Sequence, residues 1–329
     1  MEAHVKRIFS GIQPTGEIHL GNYVGAIRNW VELTKDYDCI FCVVDYHAIT
    51  VEYPIEEFKK RTVETALILI ACGLTPDKCK VIVQSHVPEH TELAWIFNCV
   101  TPIGELERMT QFKDKSKQHR ANINMGLMDY PVLQAADILV YKAGFVPVGE
   151  DQVQHVELSR EVARKFNARF GDVFPEPKAL LSIAPKILGV DGAAKMSKTL
   201  NNYIGLLEDE KTMWEKLRTA VTDVKRVRRT DPGNPEVCNI YTIHRAFSDN
   251  QVLLDVDKGC RTAGIGCIDC KKLLFKNLSA ELAPIRERAF ALMDDTDYVI
   301  DAIQKGSGVC SAIAQETMRE VRNALGLFI

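Results

Sequence analysis

Short apolar runs alternate with amphipathic segments along the first 190 residues. Apolar runs suited to buried strands occur at residues 7–10, 39–44, 81–83 and 145–148. Residues 55–72 have helical periodicity and are followed by Gly73, and the last strand candidate covers residues 180–188. Strands that alternate with helices are typical of βαβ units. The sequence therefore predicts an α/β fold with a doubly wound, Rossmann-like parallel sheet.

The pattern changes twice along the chain. A charge-rich stretch with helical periodicity interrupts the alternation and predicts a helical insertion at about residues 85–130. Beyond residue 202 almost all of the periodicity is helical, as in residues 208–220, 279–294 and 309–325. We therefore predict a sheet domain over residues 1–200 and an α-helical domain over residues 201–329.

Composition and charge narrow the class of protein. Hydrophobic residues make up 46% of the chain and charged residues 26%, which is ordinary for a soluble globular protein. No apolar run is long enough to span a membrane and no signal peptide opens the chain, so we expect a cytoplasmic protein. The net charge of −3 argues against generic nucleic-acid binding. Basic clusters at residues 113–120 and 225–229 are either solvated surface or local contacts with a polyanion, and both interpretations stay open.

Two polar segments carry the candidate chemistry. The first, Gly-Ile-Gln-Pro-Thr-Gly-Glu-Ile-His-Leu-Gly-Asn at residues 11–22, lies between the first strand and a predicted helix. Its glycines permit close backbone approach to a ligand, and a helix start offers free N–H groups to phosphate. The second, Lys-Met-Ser-Lys-Thr at residues 195–199, places two lysines on a loop, where ammonium groups can follow a charge that moves during reaction. Together they indicate a site that activates a carboxylate with ATP.

These two segments resemble the signature motifs of class I aminoacyl-tRNA synthetases. His-Leu-Gly-Asn at residues 19–22 is similar to the HIGH signature, with Asn22 in place of its last histidine. Residues 195–199 are similar to the KMSKS signature, with Thr199 in place of its last serine. Both replacements keep a side chain that can form a hydrogen bond. The resemblance implies that ATP activates an amino acid, which is then transferred to tRNA.

A polar pattern within an apolar run bears on which amino acid is used. Tyr130, Gln134 and Asp137 are spaced to lie on one side of a predicted helix. A carboxylate there could select an aromatic ring by accepting from an indole N–H or a phenol O–H. Tyrosyl- and tryptophanyl-tRNA synthetases share this pattern. Four longer segments, at residues 9–16, 44–50, 104–113 and 146–155, resemble the bacterial tryptophanyl-tRNA synthetases, and the resemblance runs from about residue 7 to the C-terminus.

This resemblance implies roles for individual residues. Asp137 is expected to accept the indole N–H of L-tryptophan, in a pocket completed by Phe9, His47, Tyr130, Gln134, Val146 and Gln152. ATP is expected to contact Gln13, Pro14, Thr15, Gly21, Asn22, Gly149, Glu150, Asp151, Ile187, Lys195, Met196, Ser197, Lys198 and Thr199. The expected catalytic residues are His19, Lys113, Lys195 and Lys198, assisted by Mg²⁺ on phosphate oxygens and water. The resemblance also implies a homodimer with its interface near residues 85–130, and binding of tRNA(Trp) by an anticodon-binding helical domain.

Four late cysteines form a ligand pattern. Cys238, Cys260, Cys267 and Cys270 follow the spacing C-x21-C-x6-C-x2-C, which suits zinc or an iron–sulfur cluster. Some tryptophanyl-tRNA synthetases carry a 4Fe–4S cluster on a similar pattern, so the resemblance implies that subgroup, with Zn²⁺ as the alternative. The basic residues around this pattern are candidate tRNA contacts: Arg226, Arg228, Arg229, Lys271 and Lys272. The other cysteines that we assign, Cys39, Cys42 and Cys310, are expected in the core.

Two other hypotheses remain open from the sequence. A nucleotidyltransferase of the wider HIGH superfamily would use ATP without meeting tRNA. A synthetase-like paralogue would bind RNA or sense tryptophan without catalysis. The presence of His19, Asp137, Lys195 and Lys198 argues against the second, because a non-catalytic protein has no need of the phosphate-binding set.

Overall fold

A parallel five-stranded sheet forms the centre of the fold. The computed structural model describes residues 6–110, 124–182, 187–197 and 200–328, and in these ranges the strand order is β3-β2-β1-β4-β5 with every pairing parallel. The strands are β1 Arg7–Ile12, β2 Asp38–Val43, β3 Lys80–Val83, β4 Phe145–Val148 and β5 Lys178–Leu181. This confirms the predicted doubly wound sheet.

The last strand differs from the prediction. It covers Lys178–Leu181 instead of residues 180–188. Leu188 forms only an isolated bridge with Lys195, and residues 183–186 lie outside the described residues. The apolar run that we read as one strand therefore continues past the end of the sheet ladder.

Helices connect the strands and continue beyond them. They are α1 Leu20–Asn22, α2 Arg28–Leu33, α3 Asp45–Ala48, α4 Ile55–Ala71, α5 Glu89–Asn98, α6 Ile103–Glu107, α7 Met125–Leu139, α8 Val153–Phe170, α9 Glu210–Thr219, α10 Asn239–Phe247, α11 Asn250–Arg261, α12 Cys267–Asp294 and α13 Thr296–Leu325. A π-helical turn, Tyr23–Ile27, joins α1 to α2. In the described part of the chain, no helix is long and apolar enough to cross a membrane.

The chain divides into two compact units. The first unit contains residues up to Thr15, Trp30–Ser182 and the residues from Asp295 onward, and it holds the whole sheet. The second unit contains Gly16–Asn29 and Ile183–Asp294. This division differs from the single boundary that we predicted near residue 200. The role of the helical part in anticodon binding stays a prediction.

Helix α13 belongs to the first unit because it packs on the edge of the sheet. A side chain at Gly306 would place its Cβ only 2.6 Å from the Val81 carbonyl oxygen, so the helix approaches β3 closely where it has no side chain. Two ion pairs hold its C-terminal part, Lys142 with Glu320 at 2.7 Å and Arg322 with Glu92 at 2.5 Å. Helical periodicity reveals the apolar face of such a helix but not the surface that covers it.

The core of the first unit lies between the sheet and helices α5, α7, α8 and α13. Phe97, Phe166 and Phe174 meet edge to face, with ring centroids 4.9–6.1 Å apart. Cys39, Cys42 and Cys310 are at most 1% exposed, which confirms that they are core residues. Burial of each large apolar side chain contributes about 1.5–3 kcal/mol.

The carboxyl ends of the strands place polar side chains along one edge of the sheet. Helix α3 follows β2, a 3-10 turn Gln84–His86 follows β3, and another, Glu150–Gln152, follows β4. The strand order reverses between the neighbouring strands β1 and β4. The Ser10 side chain on β1 donates from Oγ to the Pro147 carbonyl on β4 at 3.3 Å. Ligands of such sheets bind beyond the strand ends at this switch point.

Candidate active site

A buried carboxylate lies at the centre of a polar cluster in the first unit. Asp137, on α7, is 1% exposed. Its Oδ2 lies 2.7 Å from His47 Nε2, while its Oδ1 accepts from Gln84 Nε2 at 2.7 Å and lies 2.7 Å from His90 Nδ1. Burial acts to raise the pKa of Asp137, but His47 and His90 outweigh it and hold that pKa well below its usual range. Asp137 is therefore an ionised hydrogen-bond acceptor at neutral pH.

The Asp137 carboxylate keeps one acceptor position that no described residue uses. A carboxylate has about four acceptor positions. Two donors share Oδ1, whereas Oδ2 meets only His47 among the described residues. An indole N–H can take the remaining position on Oδ2 without displacing a protein donor.

Aromatic rings line the same cluster. Phe9 stacks on Tyr141 with ring centroids 5.6 Å apart, and His47 meets Tyr130 edge to face at 6.2 Å. The hydroxyl of Tyr141 lies 2.7 Å from His90 Nε2. Because an ionised Asp137 can only accept, the His90 ring donates to it from Nδ1. The predicted pocket residues Phe9, His47, Tyr130 and Asp137 thus lie together.

A second polar chain joins two of the predicted pocket residues, Tyr130 and Gln152. The Tyr130 hydroxyl lies 2.9 Å from His155 Nε2, and His155 Nδ1 lies 2.9 Å from Gln152 Oε1. Burial raises the pKa of Tyr130 well above its usual value, so the phenol stays neutral. Of the other predicted pocket residues, Val146 is buried and Gln134 is half-buried.

The first signature motif opens α1 in the second unit. The backbone N–H of His19 donates to Asn22 Oδ1 at 3.1 Å, so the asparagine that replaces the usual histidine caps the turn. Burial lowers the pKa of His19, which is therefore neutral at pH 7. Among the described residues no group bonds to its buried Nδ1. An unpartnered buried nitrogen of this kind can be satisfied by a ligand.

The two signature motifs meet within the second unit. Residues 18–20 pair with residues 204–206, through bonds from Leu20 N–H to the Ile204 carbonyl at 3.0 Å and from Leu206 N–H to the Ile18 carbonyl at 2.9 Å. A Cβ at Gly21 would lie 3.5 Å from Met196 Cβ. The structure therefore brings the first motif against the middle of the second.

The remaining predicted ATP contacts are divided between the two units. In the first unit Pro14 is buried, Gln13 is half-buried, and the exposed residues are Thr15, Gly149 and Glu150. In the second unit Ile187 and Met196 are buried, Ser197 is half-buried and Lys195 is exposed. Outside the described residues lie Lys113, Lys198, Thr199 and the side chain of Asp151. Their roles in ATP binding stay predictions.

The four late cysteines lie in one neighbourhood of the second unit. Burial, followed by the charges of Cys238, Cys260 and Cys267, raises the pKa of the Cys270 thiol to about 12. The Arg226 guanidinium lies 3.8 Å from Cys260 Sγ. These four thiols match the donor set of zinc or an iron–sulfur cluster in chemistry. Their arrangement is not that of an assembled centre, since no group of three or more ligands in the described chain is placed to hold a metal ion.

The candidate tRNA contacts differ in accessibility. Arg228, Arg229 and Lys272 are exposed. Arg226 instead bonds through its guanidinium to the carbonyls of Arg229, at 3.1 Å, and Ile265, at 2.7 Å.

Lys271 is buried, and its ammonium donates to the carbonyls of Arg218 and Ala220 at 2.8 and 2.6 Å, at the C-terminal end of α9. This position does not suit the tRNA contact that we predicted for it, because the ammonium satisfies helix carbonyls away from solvent.

Sequence reasoning missed several polar partners of the pocket. Gln84, His90 and Tyr141 surround Asp137, and His155 links Tyr130 to Gln152. Only Gln84 carried a usable signal, since it directly follows a predicted strand at the edge where ligands bind.

Comparisons with known proteins identify the family to which the chain belongs. The family model "tRNA synthetases class I (W and Y)" matches residues 1–283. A tryptophan–tRNA ligase from Deinococcus radiodurans is 54% identical over 327 residues, covering 98% of this chain and 99% of that protein. One from Thermotoga maritima is 46% identical, covering 98% and 99%. A crystal structure of tryptophanyl-tRNA synthetase from Campylobacter jejuni, complexed with ADP and tryptophan, has a TM-score of 0.87 at 34% identity and covers 98% of this chain and 100% of that chain. The chain belongs to the class I tRNA synthetases for tryptophan and tyrosine.

Proposed function

We propose that this chain is a tryptophan–tRNA ligase. It activates L-tryptophan with ATP to give tryptophanyl-adenylate and pyrophosphate, and then transfers tryptophan to the 3′ end of tRNA(Trp). The observation that carries the proposal is the buried carboxylate of Asp137, whose Oδ2 contacts only His47 among the described residues and so keeps an acceptor position for an aromatic N–H donor. The relatives from Deinococcus radiodurans and Thermotoga maritima, both tryptophan–tRNA ligases, favour tryptophan over tyrosine.

The pocket of the first unit selects the side chain. Asp137 accepts the indole N–H, while Phe9 and His47 contact the ring and Tyr130 and Gln152 hold the α-amino group. A site built around one buried hydrogen bond rejects a ligand that lacks the donor by about four to five orders of magnitude, because the acceptor is then left unpaired.

The residues of the two signature motifs bind and stabilise the phosphates of ATP. An oxygen of the tryptophan carboxylate attacks the α-phosphorus of ATP, the bond to the bridging oxygen breaks, and pyrophosphate leaves with its electron pair. His19 donates from its neutral ring, and Lys195, Lys198 and Lys113 stabilise the charge that develops on the phosphates. Mg²⁺ is held mainly by phosphate oxygens and water. A hydroxyl of the 3′-terminal ribose of tRNA then attacks the aminoacyl carbonyl carbon, the bond from that carbon to the adenylate oxygen breaks, and AMP leaves with the electron pair while the hydroxyl proton is released.

Aminoacylation of tRNA tests this proposal. The full chain is incubated with ATP, Mg²⁺ and unfractionated bacterial tRNA, together with labelled tryptophan or labelled tyrosine. We expect label on tRNA with tryptophan alone. Charging with tyrosine alone would contradict the substrate, and adenylate formation without any charging would instead favour a nucleotidyltransferase that does not use tRNA.

We also propose that Cys238, Cys260, Cys267 and Cys270 hold a 4Fe–4S cluster, with Zn²⁺ as the alternative. The four-cysteine spacing, the mutual influence of the thiols on their pKa values and the cation of Arg226 beside Cys260 support it. The cluster would cross-link the helices of the second unit, since aminoacylation moves no electrons.

Metal analysis tests the cluster. Protein purified without oxygen is assayed for iron and acid-labile sulfide, and Cys267→Ser is compared with Cys99→Ser, which alters an exposed cysteine elsewhere. We expect iron and sulfide in the wild type and in Cys99→Ser, and loss of both in Cys267→Ser. Stoichiometric zinc without iron would establish the alternative.

The protein is further proposed to act as a cytoplasmic homodimer. On the first unit Trp95 is 72% exposed and Ile103 is 64% exposed, within the segment where the interface was predicted. Large apolar side chains left in solvent are typical of surfaces that a partner covers. Light scattering is expected to give twice the chain mass for the wild type and a monomer for Trp95→Glu, and a monomeric wild type would contradict the proposal.

A further inference from the structure

A buried amide holds the backbone of the second signature motif. Asn202 follows the motif and is 3% exposed. Its Oδ1 accepts from the Ser197 N–H at 2.8 Å, and its Nδ2 donates to Asp191 Oδ2 at 2.8 Å and to the Lys195 carbonyl at 3.2 Å. One side chain thus uses both of its N–H groups and its oxygen within a single loop. Two of its three partners are backbone groups of the motif.

The rest of the loop is shaped around this amide. A Cβ at Gly189 would lie 2.2 Å from Asn202 Nδ2, so only glycine leaves the space that the amide occupies. Asp191 Oδ1 accepts from the backbone N–H groups of Ala193 and Ala194 at 3.1 and 3.4 Å. The Gly189 N–H donates to the Ala194 carbonyl at 2.8 Å. The turn that leads into the motif is therefore fixed by side-chain and backbone bonds together.

The loop that contains Asn202 is also hydrogen-bonded to α10. The buried side chain of Asn239 donates from Nδ2 to the Gly189 carbonyl at 2.7 Å, and the Val190 N–H donates to the Asn202 carbonyl at 2.7 Å. These bonds connect the loop to a packed helix of the second unit. The amide of Asn202 therefore works against a rigid support.

We propose that Asn202 is a positioning residue for the activation step, an inference that rests on the proposed ligase function. It fixes the backbone on both sides of Met196, so that Lys195 moves only through its own side chain. The Lys195 ammonium then reaches the phosphates from a backbone whose position is fixed. Positioning of this kind has large effects on rate, since a misplacement of about 1 Å can cost about 100-fold.

Two neighbouring asparagines give a matched test. Asn202→Asp keeps the shape but removes both donors and places a second carboxylate beside Asp191. Asn201→Asp makes the same charge change at an exposed neighbour, whose φ of 48° aspartate tolerates. We expect kcat for tryptophan-dependent ATP–pyrophosphate exchange to fall about 10- to 100-fold in Asn202→Asp, with the Kd of tryptophan within about twofold. Asn201→Asp should stay within about twofold of the wild type in both.

A double variant separates positioning from general damage. Asp191→Asn combined with Asn202→Asp exchanges donor and acceptor between the two positions, so it removes the repulsion between two carboxylates and restores their mutual bond. We expect it to recover part of kcat. Equal kcat in Asn202→Asp and Asn201→Asp would refute the role. A parallel loss of tryptophan affinity without recovery in the double variant would also refute it.

Hydrogen exchange supplies a readout that does not depend on activity. The Ser197 amide should exchange faster in Asn202→Asp than in Asn201→Asp, because repulsion between the carboxylates at positions 191 and 202 moves the acceptor away from this N–H. Equal protection of the Ser197 amide in the two variants would contradict the proposal that Asn202 holds the backbone of the motif. A wild type without tryptophan-dependent exchange of pyrophosphate would overturn the proposed function. Hydrogen exchange of the Ser197 amide would still test whether Asn202 holds this backbone.

Discussion

His90 lies with its Nδ1 2.7 Å from Asp137 Oδ1, and neither side chain is more than 1% exposed. This contact and the bond from Gln84 occupy Oδ1, so Oδ2 is the oxygen with an acceptor position left for the indole N–H of the proposed substrate. We expect His90→Leu to raise the Kd of tryptophan about 10- to 100-fold, the value of a lost bond to a charged group. The KM for ATP should change by less than about twofold. Calorimetric titration of tryptophan measures the first effect and exchange kinetics the second.

A conservative variant and an exposed histidine serve as controls for this prediction. His90→Asn keeps a donor close to the position of Nδ1 and should retain more tryptophan affinity than His90→Leu. His86→Asn alters an exposed histidine in the turn after β3 and should bind tryptophan normally. Equal affinity in His90→Leu and the wild type would show that His90 does not orient the carboxylate.

Arg28 joins the helix after the first signature motif to helices of the second unit. Its guanidinium lies 5.3 Å from the Tyr23 ring centroid and 4.8 Å from that of Phe247, and it bonds to the Ala246 carbonyl and to Glu281. We expect Arg28→Met to lower the free energy of unfolding by about 1–2 kcal/mol, because stacking and ion pairing are lost at a half-buried site. Urea denaturation measures the change.

The control for Arg28 is an exposed arginine. Arg218 pairs with Glu215 on the surface of α9, so Arg218→Met should change the free energy of unfolding by less than about 0.5 kcal/mol. Equal effects of the two substitutions would mean that the ring contacts of Arg28 add nothing to stability.

Lys271 and Lys272 are adjacent lysines with different surroundings. Lys271→Met should lower the free energy of unfolding by about 1–3 kcal/mol, because carbonyls at the end of α9 lose their buried donor. Lys272→Met should leave stability unchanged and raise the KM for tRNA, with a weaker dependence of that KM on salt. Urea denaturation and aminoacylation at two salt concentrations separate the effects. A larger rise in the KM for tRNA with Lys271→Met than with Lys272→Met would reverse the assignment.

His19 links stability to pH. Burial holds its pKa below 6.5 in the folded protein, so the unfolded chain binds more protons as the pH falls through and below 6.5. The contribution of neutral His19 to the free energy of unfolding is therefore complete at pH values above the pKa of His19 in the unfolded chain, and it declines toward lower pH. We expect urea midpoints at pH 7.5 and 5.5 to differ less in His19→Gln than in the wild type. The same difference in both proteins would contradict this.

Much of the sheet could be predicted from local pattern, whereas most residues of the pocket were implied by the family resemblance. Apolar runs located four strands closely, and Asp137 stood out as a charged residue inside an apolar helix. The two signature motifs were expected to act together, and the structure places Gly21 against Met196. These features are local, or they belong to motifs whose spacing carries the information.

The missed features depend on contacts between distant segments. Gln84 and His90 reach Asp137 across 53 and 47 residues of sequence, so no periodicity reveals that three elements share one carboxylate. Asn202 lies just beyond the motif that it holds, and only the folded loop shows its bonds. Lys271 looked like surface charge because its burial depends on how α12 packs against the end of α9.

The most direct test of the central claim is ATP–pyrophosphate exchange by the full chain with tryptophan and with tyrosine in parallel. The proposed ligase function, which rests on similarity to tryptophan–tRNA ligases, predicts exchange that depends on tryptophan, with a far lower kcat/KM for tyrosine. Exchange that depends on tyrosine and not on tryptophan, or no exchange with either amino acid, would contradict the account.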